Sequence, residues 1–109
     1  MKTIKEIQAE VHQNAIEHGW WEEKREFGTM IALCHSELSE ALEEVRKGRE
    51  INKNYYTEQG KLEGVPSELA DVVIRILDMC GYYNIDLQQA IIEKNEFNKK
   101  REFKHNKQF

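Results

Sequence analysis

Residues 27–48, FGTMIALCHSELSEALEEVRKG, decide the fold. Phe27, Met30, Ile31, Cys34, Leu38, Ala41, Leu42 and Val45 recur at spacings of three and four, the period of a helix that buries one face. Gly48 then closes the segment. The same spacing returns elsewhere. Thr3 and Glu6 form a capping-box pair, followed by Ile4, Ile7, Val11 and Ile16, so a helix is expected over residues 3–18, ending at Gly19. Pro66 suits a first helical turn, and Leu69, Val72, Val73, Ile76, Leu77 and Cys80 make the most apolar stripe of the chain, up to Gly81. Asp86 with Gln89 repeats the capping pattern ahead of Leu87, Ala90, Ile91 and Phe97, which places a fourth helix over 87–101.

Four such segments in 109 residues, with no strand-like alternation or internal repeat, predict a single all-α domain, a four-helix bundle. A loop is expected over 48–65 and a polar tail over 102–109. The loop is long for a connection between packed helices, which marks it as functional or mobile.

Composition narrows the function classes. The net charge is −4, from 20 acidic against 16 basic residues, and basic residues cluster only near the C-terminus, so a nucleic acid polymer is a poor partner. No apolar run reaches the roughly 20 residues of a membrane span and the start is charged, so the expected location is the cytoplasm. Cys34 and Cys80 lie on apolar stripes without a C-x-x-C neighbour, which makes them reduced core residues rather than zinc ligands.

The second helix also carries carboxylates along the edge of its apolar stripe. Glu37 and Glu40 are one turn apart, as are Glu68 and Asp71 on the third helix, so each pair points in one direction. Packing the two stripes together would bring four acids face to face, and a divalent cation is what neutralises such a cluster. Oxygen-only donors select magnesium, manganese or calcium. The same spacing occurs at Glu23 and Glu26, Glu40 and Glu43, and Glu93 and Glu96, where a solvated helix face is the ordinary explanation. Lys94, Asn98 and Arg101 form a polar line on the fourth helix suited to phosphate, although such cations more often pair with nearby glutamates. Arg75, between Asp71 and Asp78, suits either a buried counter-ion or a phosphate contact. His12 and the Trp20–Trp21 doublet offer rings for stacking on a base or for plugging the core.

The arrangement ELSE at Glu37 and Glu40, then ELAD at Glu68 and Asp71, resembles the MazG-like all-α nucleoside triphosphate pyrophosphohydrolases over residues 12–101, closest to the dCTP pyrophosphatase and small MazG-like branch. The resemblance implies that Glu37, Glu40, Glu68 and Asp71 bind Mg2+, with Mn2+ as a substitute, for attack of water on the α-phosphorus of a nucleoside triphosphate. Glu37 and Glu40 are then the catalytic pair. It further implies phosphate binding by Lys94, Asn98 and Arg101, base binding by His12 and Trp21, and a homodimer or homotetramer. Pyrimidine-specific relatives place a tryptophan in the long loop where this chain has Tyr55 and Tyr56; a deoxypyrimidine triphosphate is the first substrate expected, a broad or noncanonical set the second. Two other classes compete. One is a non-catalytic helical dimerisation domain of the same fold. The other, a ferritin-like di-iron bundle, needs two Glu-x-x-His motifs, and the chain offers only Glu102 with His105.

Overall fold

The computed structural model describes residues 1–101. Four helices carry the fold: α1 (Ile4–Glu17), α2 (Phe27–Arg46), α3 (Val65–Tyr82) and α4 (Leu87–Lys99). Each begins and ends within a few residues of the sequence expectation. Thr3 Oγ1 accepts from the Glu6 N–H while the Glu6 carboxylate accepts from the Thr3 N–H, so the capping box is complete. Asp86 accepts from the Gln89 N–H at 3.0 Å, but the Gln89 side chain donates to Glu93 instead of turning back.

The loop between α2 and α3 differs from expectation. It contains a two-stranded antiparallel hairpin, β1 (Asn54–Tyr56) and β2 (Leu62–Gly64), with Asn54 opposite Gly64 and Tyr56 opposite Leu62. Each strand is three residues long, too short for a period-two pattern to show in the sequence. The tyrosines favour extended backbone, and Gly60, at φ +83°, lets the chain turn back.

Helix α3 is the centre of the molecule. Its apolar stripe packs on α2 and on α1, and the core lies between them: Met30 and Cys34 from α2, Val72 and Met79 from α3, with Trp21 and Ile76 packed against them. Helix α4 is laid mainly on α1 and buries none of its residues; Phe97 is 58% exposed. Its ties to α1 are polar, Lys5 N–H to Gln88 Oε1 and Gln8 Nε2 to the Ile85 carbonyl, both 2.9 Å. Within one chain the arrangement is therefore three packed helices with a fourth attached along one side. Both cysteines are free and buried, and burial pushes their thiols up, away from reactivity. No helix among the described residues is long and apolar enough to cross a membrane.

The approach of α1 to α3 depends on a missing side chain. A Cβ on Gly81 would lie 2.6 Å from Cβ and Cγ of His12, the root of that side chain and not its flexible end. Gly81→Ala gains about 1 kcal/mol of helix propensity but forces the two helices apart. A net loss of about 1–3 kcal/mol in urea unfolding is expected, with no change in helical content.

Candidate metal centre and adjoining cavity

Glu68, Asp71, Arg75 and Asp78 follow one another on α3 at three, four and three residues, so they form one polar line beside the apolar stripe. Glu37 of α2 faces it. Carboxylate oxygens of Glu37, Glu68 and Asp71 lie within 4.8 Å of one another, and all three residues are half-buried. Glu40, one turn further along α2, is exposed and stands outside this group of three, though its charge still reaches Glu68. Arg75 supplies the direct counter-charge, with Nε at 3.0 Å and Nη2 at 2.9 Å from the same Glu37 oxygen.

One guanidinium does not neutralise so many acids. Burial, and then the charges of Asp71, Glu37, Glu40 and Glu44, push the Glu68 carboxyl above its ordinary value of 4.5. Burial and Glu37 likewise push Asp71 above 3.8, against the pull of Arg75 and Lys61. The site holds an excess of negative charge in partly dry surroundings, and its donors are all oxygen. That set fits a magnesium-sized or manganese-sized cation, with Glu37, Glu68 and Asp71 as the holders.

The hairpin fixes the start of α3. Asn54 Oδ1 accepts from the Ser67 N–H at 2.8 Å, one residue before Glu68, and Gly64 sits at φ +130° where a Cβ would lie 2.7 Å from the Lys53 carbonyl. Tyr55 points inward, its hydroxyl donating to Glu44 at 2.8 Å, with the Arg49 guanidinium 3.8 Å over its ring. That bond pushes the Tyr55 hydroxyl up to about 12. Glu44, only 4% exposed, is a fifth acid of this region whose role the spacing alone did not single out. Its place two turns after Glu37 was the available signal.

A cavity of about 420 Å3 adjoins the acids between α1, α2 and α3. Glu37, Asp71 and Arg75 line one part of it; Asn14, Trp20, Arg25 and Asp78 are further lining residues. His12 and Trp21 do not line it. Both are committed to Asp78, whose Oδ1 accepts from His12 Nδ1 at 2.8 Å and from Trp21 Nε1 at 2.9 Å. The Trp21 ring stacks on Tyr82 with centroids 4.2 Å apart. The ring that borders the cavity is the neighbouring Trp20, and the doublet could not have told the two apart.

Lys94, Asn98 and Arg101 lie on or just after α4, away from the acids within one chain. Arg101 Nη1 donates to Asn98 Oδ1 at 3.3 Å, and Lys94 Nζ sits 5.0 Å over the Phe97 ring. No hydrogen bond or ion pair among the described residues joins them to Glu37, Glu68 or Asp71. Arg75 and Lys61 are the cations whose charge acts on Asp71. Glu102 and His105 lie outside the described residues.

No protein-family model, curated protein or solved structure matches this chain. The site is therefore read from its own chemistry.

Because folding raises the pKa of Glu68 and Asp71, the folded chain free of divalent ions binds protons more tightly than the unfolded one. Their contribution to stability is unfavourable at neutral pH and is relieved as pH falls through the raised values toward 4.5 and 3.8. Glu68→Gln is expected to melt higher than wild type at pH 7 in chelator, with the gap closing near pH 4.5. A lower melting temperature for the variant at pH 7 would contradict this electrostatic account.

Proposed function

We propose that this chain is a magnesium-dependent nucleoside triphosphate pyrophosphohydrolase of the MazG-like kind, cleaving between the α- and β-phosphates to give a monophosphate and pyrophosphate. The observation that carries the proposal is the convergence of Glu37, Glu68 and Asp71, three of the four acids of the paired motif, beside a cavity large enough for a ligand. Magnesium bound there supplies charge neutralisation for the polyphosphate and a nucleophile at neutral pH. The residues of the chain do the positioning. Glu37, Glu68 and Asp71 hold the cation, and Arg75 steadies Glu37. Glu40, exposed and outside the group of three, is in this proposal the residue that takes a proton from the attacking water.

Lys94, Asn98 and Arg101 take their phosphate role in this proposal across an interface between copies of the chain. Leu38, Leu42 and Val45 on α2, at one-face spacing, are 47%, 51% and 42% exposed, and Leu69 and Val73 on α3 are 46% and 51% exposed. Apolar stripes left this open support a homodimer or homotetramer. A deoxypyrimidine triphosphate is the first substrate to try.

The test is pyrophosphate release from a panel of common and modified nucleoside triphosphates, with magnesium and with chelator. Release that needs magnesium, and that falls about a hundredfold or more in Glu68→Gln while the variant stays folded, is the expected result. Folded protein that releases nothing from any nucleotide, with or without magnesium, would favour the non-catalytic dimerisation domain.

A further inference from the structure

Asp78 is 8% exposed, and among the described residues only one of its two carboxylate oxygens accepts hydrogen bonds. Oδ1 takes the two donors already described, His12 Nδ1 and Trp21 Nε1. Oδ2 is held by charge alone, in an ion pair with Arg25 Nη1 at 3.6 Å. Arg25 thus balances the charge of Oδ2 without donating to it at hydrogen-bond length, and the lone pairs of Oδ2 stay open to a donor in the cavity. Asp78 and Arg25 both line the cavity that also borders Glu37 and Asp71.

The position of Asp78 is set by the helix. It follows Asp71 by seven residues, two turns on the same face, or about 10.5 Å along α3. A nucleotide whose phosphates lie at Asp71 has its base at about that remove. Trp20, 61% exposed and part of the cavity wall, offers a ring face there, and Arg25 offers donors alone.

We propose that Asp78 is the residue that reads the base, its Oδ2 accepting a hydrogen from an exocyclic amino group while Arg25 donates to the adjacent ring nitrogen or carbonyl and Trp20 covers the ring. Cytosine and adenine present such an amino group. Uracil and hypoxanthine put a carbonyl in the same place, where its lone pairs would face those of Oδ2. The inference rests on the nucleotide reading above, and it moves base recognition from His12 and Trp21 to Asp78, Arg25 and Trp20; the first pair holds Asp78 in place.

Asp78→Asn tests it with little change of shape. The indole N–H of Trp21 requires an acceptor, so the asparagine oxygen takes the Oδ1 position and its NH2 replaces Oδ2, turning an acceptor into a donor. The probes are neutral nucleosides, which need no metal: deoxycytidine against deoxyuridine, and adenosine against inosine, followed by tryptophan fluorescence in chelator. Wild type should bind the amino member of each pair about tenfold or more tightly, and Asp78→Asn should reverse the order. Unchanged near-ultraviolet circular dichroism of the variant establishes that the Trp21 environment is intact. Equal binding within each pair by wild type, no binding of any probe, or an unchanged preference in folded Asp78→Asn would overturn the assignment. Amino preference without pyrophosphate release in any triphosphate assay would sustain Asp78 as the base reader and remove the hydrolase reading. Release with no base preference would do the opposite.

Discussion

The repulsion among Glu37, Glu68 and Asp71 is the constraint around which the rest of the structure is organised. Three carboxylates share a space within 4.8 Å, with Glu40 and Glu44 nearby, and among the described residues only Arg75 is bonded directly to one of them. Such a cluster is unfavourable in a metal-free protein at neutral pH. It persists because α2 and α3 are held together by apolar packing through Met30, Cys34, Val72 and Met79, on the same helices that carry the acids. Core and site are two edges of one interface, so stability is partly given up to position charge.

Helix α3 carries both functions. Its apolar stripe meets α1 and α2, and beside that stripe runs the line Glu68, Asp71, Arg75 and Asp78, alternating in sign only at Arg75. The hairpin sets where this line begins, through Asn54 on the Ser67 amide and the backbone of Gly64 that only glycine accommodates. The aromatic knot at the other end, Trp21 on Tyr82 with His12 and Trp21 both on Asp78, fixes where it stops. Between these anchors the chain presents acids at one part of a cavity and hydrogen-bonding groups with an indole at another.

Much of this was legible in the sequence. The three-and-four spacing gave all four helices, and the capping pairs at Thr3 and Asp86 placed two of their starts. The common direction of each acid pair was legible too, since helix geometry turns sequence spacing into direction, but the expected meeting of four acids is a meeting of three, with Glu40 exposed outside it. What was not legible depends on contacts between segments. The hairpin is too short for periodicity. The inward turn of Tyr55 onto Glu44, the pairing of Arg75 with Glu37, and the choice of Trp20 over Trp21 as the cavity ring follow from how helices meet. The placement of Lys94, Asn98 and Arg101 away from the acids in one chain follows from α4 packing along α1, which its amphipathic pattern does not specify.

The central claim, that Glu37, Glu68 and Asp71 form a divalent-cation site, is tested most directly by titrating Mn2+ into the protein without nucleotide and following free Mn2+ by electron paramagnetic resonance. Saturable binding that is displaced by Mg2+ and lost in the Glu68→Gln, Asp71→Asn double variant is the predicted result. Manganese that stays free in the presence of folded wild-type protein, or binding that survives unchanged in the double variant, would contradict it.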